Sequence, residues 1–151
     1  MIRYNNGDIR EAKSGYILSG CNSRNSNGSG LAKSLANKWP NVKEAYHLFY
    51  AEKGYLNLGE FKIVGVDEDL FVVNIITQDN YGYDGAEYVS YAGIEVGLHS
   101  LVGFINRNGL EKTIHAPQIG CGLAGGDWGI VQDIFFKIVP DSFDLNFWIY
   151  K

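Results

Sequence analysis

A chain of 151 residues has room for one compact domain and little more. Its 46% hydrophobic and 14% aromatic content, with only three prolines, excludes a disordered or fibrous protein. Thirteen Lys and Arg against seventeen Asp and Glu, a formal charge of −4, argue against a surface that neutralises many phosphates of an extended nucleic acid. A small anion stays open, because Gly-rich loops and helix N-termini bind phosphate through backbone N–H groups without Lys or Arg.

Cys21 and Cys121 lie in separate Gly/Asn-rich segments without CxxC spacing, and no signal-like or membrane-length apolar run accompanies them. Free thiols in the cytoplasm are the expectation. One domain over 1–151, acting as a monomer and without a membrane partner, is expected.

In chain order, YILSGCN (16–22) reads as a strand and GLAKSLANKW (30–39) as a short helix ended by Pro40. NVKEAYHLFYAEKG (41–54) has helical spacing through Val42, Ala45, Leu48 and Phe49. FKIVGV (61–66) and LFVVNIIT (70–77) are strands around the turn-forming Asp67-Glu68-Asp69, the second apolar enough to be central. Tyr91, Ile94, Leu98, Leu101, Val102 and Ile105 form one stripe of the longest helix, 87–106, and Asn108-Gly109 stops it. A short strand (113–117), a helix (128–139) and a closing strand (143–150) complete the chain. Alternation of strands and helices predicts a three-layer α/β sandwich.

In such sandwiches ligands sit beyond the carboxyl ends of the strands. Two small-residue loops occupy that place here, GCNSRNSNGSG (20–30) and GCGLAGGD (120–127), each after a strand and before a helix. Free helical N–H groups and little side-chain bulk suit a ligand with two linked phosphates.

NGDI (6–9), GCNSRNSNGSGLAKSLANKWP (20–40) and PQIGCGLAGGDW (117–128) together resemble the macro domain family of ADP-ribose-binding modules, over nearly the whole chain. IITQDNYGYDGAEYVSY (75–91) resembles the Thr-Gln, Tyr-Gly and Tyr-x-x-Tyr pattern of the ADP-ribose-1''-phosphate phosphatase branch. The branch of terminal ADP-ribose glycohydrolases and DNA ADP-ribosyl glycohydrolase antitoxins shares IGCGL but carries a catalytic lysine where this chain has Gln78. The resemblance implies an α/β/α macro domain sandwich with a central mixed sheet. It implies that Asp8 accepts a hydrogen bond from the adenine 6-amino group, with Ile9 beside the ring. Asn22 would contact the distal ribose, and Gly28, Ser29, Gly30 and Leu31 the first phosphate side. Gly120, Cys121, Gly122, Leu123, Ala124 and Gly125 would line the other side, while Gln78, Tyr81 and Gly82 belong to a segment bordering the distal ribose.

Each assignment has a plainer counterpart. Asp8 suits a turn or cap, and Asn22 and Asn25 suit loop asparagines bonded to nearby backbone. Asp127 stands where a helix N-cap belongs, and equally where a water-positioning carboxylate would stand, which requires an oxygen to spare. Cys121 reads as small filler, since no histidine is near it in sequence, and Trp39, Trp128 and Trp148 read as core or edge packing. His47, His99 and His115 share no metal-like spacing, so neither metal nor cofactor is expected, and His99 and His115 lie in elements expected to pack.

The function these residues imply is hydrolysis of ADP-ribose-1''-phosphate, with Asn22 and Asp127 as catalytic residues. Removal of ADP-ribose from protein or nucleic acid, and non-catalytic reading of ADP-ribose, are the alternatives.

Overall fold

Strands apolar on both faces belong in the middle of a covered sheet, and the two most apolar runs take that position. The computed structural model describes residues 1–26, 30–80, 87–121 and 124–149. Its elements are β1 (Ile2–Asn6), a 3₁₀ turn (Ile9–Glu11), β2 (Gly15–Asn22), α1 (Gly30–Lys38), α2 (Pro40–Lys53), β3 (Phe61–Asp67), β4 (Leu70–Gln78), α3 (Tyr91–Arg107), β5 (Thr113–Ala116), α4 (Trp128–Ile138) and β6 (Asp144–Ile149).

The six strands form one mixed sheet in the order β1-β6-β5-β2-β4-β3. Every neighbouring pair is parallel except β3 and β4. Alternate residues of β2 and β4 feed two layers. Tyr16, Leu18, Val73 and Ile75 join Ile94, Leu98 and Leu101 of α3 and Val131 and Phe135 of α4 in one cluster. Ile17 and Val72 join Leu35 of α1 and Val42 of α2 on the other side. The expected three-layer sandwich is what forms.

Where boundaries differ, local chemistry accounts for it. Pro40 opens α2 instead of merely closing the preceding helix, because its missing N–H and fixed φ suit the first helical position. The longest helix starts at Tyr91, not at residue 87: the Ser90 side chain caps it by accepting from Gly93 N, while Val89 pairs with Gln78 in an isolated bridge. In α2 the buried residues are Val42 and Tyr46, whereas Leu48 is 61% exposed, so the predicted stripe is displaced toward an aromatic with a polar tip. His99 is exposed on α3, a helix that packs through its other face, and His115 is buried.

β1 has no counterpart in the predicted elements. Its sequence IRYNN lacks an apolar run because it is an edge strand, mostly exposed and paired only with β6.

Candidate functional site

β2 and β5 are neighbours whose onward connections run in opposite directions. After β2 the chain goes through α1 and α2 to β3 and β4 on one side, and after β5 it goes through α4 to β6 on the other. A crevice beyond the carboxyl ends of two such strands follows from the topology. A cleft of about 480 Å³ lies there, lined by Gly7, Asp8, Ile9 and Arg10 after β1, by Gly30, Leu31 and Ser34 of α1, by Pro117, Gln118 and Cys121 after β5, and by Trp148.

One end of the cleft carries a fixed carboxylate. Asp8 caps the 3₁₀ turn by accepting from Arg10 N at 2.9 Å, and the Arg10 guanidinium donates through Nε and Nη2, the latter at 2.5 Å to Oδ2. The side-chain hydrogen bond from Arg10 holds the Asp8 carboxyl below the usual carboxylate range, against the opposing effect of burial. Asp8 is therefore ionised and acceptor-only, with Arg10 N and Nε on Oδ1 and Arg10 Nε and Nη2 on Oδ2. Ile9, 4% exposed, lies beside it.

The first loop is organised around Asn22, which is 7% exposed. Asn22 Oδ1 accepts from Arg24 N at 2.9 Å and Ser26 N at 3.3 Å, and Nδ2 donates to the Ser26 carbonyl. The Tyr46 hydroxyl lies 2.6 Å from the Asn22 carbonyl and 3.0 Å from its Oδ1. The asparagine thus does the local work of an Asx turn, with one Nδ2 hydrogen making no bond among the described residues. Gln78 Nε2 donates to Asn80 O at 2.6 Å, and the Gln78 carbonyl accepts from Ser23 N at 2.9 Å, which ties β4 to the same loop.

The second loop is strapped to itself and to the segment before α3. Gly126 N donates to the Gly120 carbonyl at 2.7 Å, Tyr88 N to the Ala124 carbonyl at 2.6 Å, and Asp127 N to the Tyr91 hydroxyl at 3.0 Å. Gly120 adopts a φ of +76°, and a Cβ on it would fall 2.4 Å from Val89 Cγ2. A Cβ on Gly126 would fall 2.6 Å from the Gly120 carbonyl oxygen. These two glycines serve the loop's closure on itself, a reason independent of any ligand. Gly125 is exposed, also with positive φ.

Asp127 is the N-cap of α4: Oδ1 accepts from Gly129 N at 2.8 Å and Ile130 N at 3.4 Å. Two of the helical N–H groups expected to be free are therefore taken. Oδ2 accepts no hydrogen bond among the described residues, so the carboxylate has an oxygen to spare, but Asp127 is exposed and stands outside the lining of the cleft. Cys121 does line it. Its thiol donates to the Ile119 carbonyl at 3.4 Å, and burial, with the Asp127 charge, pushes its pKa up. Such a thiol is no nucleophile at neutral pH, consistent with a filler.

Of the sequence-predicted site residues, Asp8, Ile9, Gly30, Leu31 and Cys121 are brought together in the cleft. Asn22 and Gln78 end β2 and β4, and Gly120, Ala124, Gly125 and Asp127 belong to the loop before α4. Gly28, Ser29, Tyr81, Gly82, Gly122 and Leu123 lie outside the described residues. Sequence reasoning missed Arg10, Ser34 and Trp148 in the lining and Tyr46 beneath the first loop. Trp148, expected only to pack, is half-buried and forms part of the wall. Among the described residues no group of three or more His, Cys, Asp or Glu could hold a metal ion, and no helix is long and apolar enough to cross a membrane.

No protein-family model matches the chain. An uncharacterized 17.5 kDa protein from the tk–vs intergenic region of Enterobacteria phage T4 is 27% identical over 139 residues, covering 89% of this chain and 87% of that protein. A Bacteroides thetaiotaomicron protein of unknown function superposes with a TM-score of 0.88 at 28% identity over 99% of this chain and 98% of that one. A macrodomain protein from Streptomyces coelicolor superposes with a TM-score of 0.80 at 23% identity over 100% of this chain and 99% of that one. Thermosipho africanus DarTG, solved in complex with ADP-ribose, gives a TM-score of 0.79 at 20% identity over 96% of this chain and 41% of that one.

Proposed function

We propose that this chain, a macro domain by fold, binds ADP-ribose in the cleft beyond β2 and β5 and hydrolyses ADP-ribose-1''-phosphate to ADP-ribose and phosphate. The observation that carries the binding is the ionised Asp8 set beside Ile9 at one end of a crevice whose other walls are the first turn of α1 and the segment after β5. A fixed acceptor next to an apolar side chain suits the 6-amino edge and the face of adenine. Gly30 and Leu31, with Gly120, Cys121, Ala124 and Gly125, then border the diphosphate and distal ribose. The ADP-ribose bound by the structurally similar Thermosipho DarTG supports the same ligand class here.

For the chemistry, a water molecule attacks the phosphorus of the 1''-phosphate, and the P–O bond to the ribose oxygen breaks. The Asp127 carboxylate, through the oxygen not used as a cap, takes the water's proton, which passes to the departing ribose oxygen. Backbone N–H groups stabilise the charge that develops on phosphate. A carboxylate near phosphate is repelled by about 1 kcal/mol per unit-charge pair at 4 Å in water, a cost the backbone N–H groups offset. Asn22, mostly spent on its own loop, would reach the distal ribose through the amide hydrogen that makes no bond among the described residues.

Phosphate release from ADP-ribose-1''-phosphate, measured for wild type, Asp127→Ala and Asp127→Asn with ADP-ribose binding followed alongside, tests this reading. Turnover in wild type, lost in both variants while binding survives, is the expected result. Binding without phosphate release sinks the phosphatase reading. A non-catalytic reader is then favoured by one observation, that Asp127 is exposed and caps α4. Release of ADP-ribose from a modified protein or nucleic acid by the same preparation would identify an ADP-ribosyl hydrolase instead.

A further inference from the structure

The base end of the cleft has a wall whose orientation is fixed from inside the sheet. Trp148, near the end of β6, lines the cleft together with Ile9 and packs on the cluster that contains Ile9, Ile17 and Leu35. Its indole Nε1–H donates to His115 Nδ1 at 3.0 Å, and His115 Nε2 lies 2.8 Å from the Ser14 carbonyl oxygen. An indole N–H only donates and a carbonyl only accepts, so the two contacts leave the imidazole a single arrangement: neutral, with its proton on Nε2 and its lone pair on Nδ1. A ring protonated on both nitrogens would turn an N–H toward the indole N–H and lose that contact.

We propose that His115 is a positioning residue for ligand binding: by accepting from Trp148 and donating to Ser14, it holds the indole as the wall against which the adenine of ADP-ribose lies. The inference rests on the reading that this cleft takes ADP-ribose. His115 is 7% exposed, so the imidazole cannot exchange either partner for solvent without local opening. Burial favours its neutral form and outweighs the opposing influences of the Ser14 bond and Glu111. The ring rests on Trp148 with centroids 5.9 Å apart, so a change at His115 alters both the hydrogen bond and the packing of the indole.

The test combines a spectrum with a binding cycle. In the intact wild-type protein at neutral pH, long-range ¹H–¹⁵N correlation of His115 is expected to show the Nε2–H tautomer; the other tautomer or a cation overturns the proposal. His115→Leu removes both contacts, whereas His115→Gln offers an acceptor to Trp148 and a donor to Ser14. The Trp148 indole resonance, assigned by Trp148→Phe, should shift in His115→Leu and move back in His115→Gln. ADP-ribose affinity should fall about tenfold in His115→Leu and largely recover in His115→Gln. In a Trp148→Ala background, His115→Leu should cost little more, because the two residues act through one contact. An equal loss in both backgrounds, or an unmoved indole resonance in His115→Leu, contradicts the positioning role. If wild type fails to bind ADP-ribose, that failure counts against the ligand; the tautomer and the indole resonance still decide whether His115 holds Trp148.

Discussion

Tyr46 reaches from the buried face of α2 to the end of β2, where its hydroxyl donates to the Asn22 carbonyl at 2.6 Å. Burial pushes the phenol far above its ordinary pKa, so it remains a donor throughout the accessible pH range. The first loop thus sits on a hydrogen bond from a different layer. Tyr46→Phe keeps the packing and deletes the donor, and should lower stability by about 1–2 kcal/mol, read from denaturant midpoints. Its ADP-ribose affinity should fall as well, because the 22–26 turn loses its support from α2.

Asp127 allows capping and chemistry to be separated. Asp127→Ala should lose about 1 kcal/mol of stability through the cap, and Asp127→Asn should lose much less, since asparagine caps as well as aspartate. Thermal melts of the two variants check the cap, and their phosphate release is expected to be equally absent because neither supplies a base.

Gly126→Ala should damage the second loop without touching a catalytic group. The added methyl would stand 2.6 Å from the Gly120 carbonyl oxygen and 2.7 Å from Val89 Cγ1, neither at the end of a long flexible side chain. A cost of about 1–3 kcal/mol is expected from such overpacking, together with weakened ADP-ribose binding by titration calorimetry.

Asp8 and His115 both act on the acid side of the stability curve, and in the same direction. Asp8 has a depressed folded-state pKa, so its contribution is complete above the ordinary carboxylate value and is lost as pH falls through the folded value. His115 is held neutral by burial, so its folded pKa lies below the unfolded one. The unfolded chain then takes up a proton near pH 6.5 that the folded chain refuses, and stability declines as pH drops below about 6.5. Denaturant melts from pH 8 to 5 should show a plateau and then this decline, and His115→Gln should flatten it.

The fold was legible in the sequence where burial imposes a period. The apolar runs of β2 and β4 and the stripe of α3 lead directly to the layers, and Gly or Asn at the strand ends marks the loops. β1 was not legible, since an edge strand that buries little needs no apolar pattern. In the site, Asp8 and Ile9, singled out by their motif, line the cleft. The steric constraint on the second loop's glycines at 120 and 126 was not legible, because it comes from Val89 and the loop's own carbonyl, contacts that sequence spacing does not display. Trp148 and His115 escaped for the same reason: they meet only when β5 and β6 pair.

Titration calorimetry of ADP-ribose into wild type and Asp8→Ala tests the central claim most directly, with ribose 5-phosphate as a control that lacks the base. Saturable one-site binding is expected in wild type, weakened about 10- to 100-fold in Asp8→Ala by loss of a charged acceptor, with ribose 5-phosphate affected little. No saturable binding of ADP-ribose to wild type, or binding indifferent to Asp8→Ala, would contradict the assignment of this cleft.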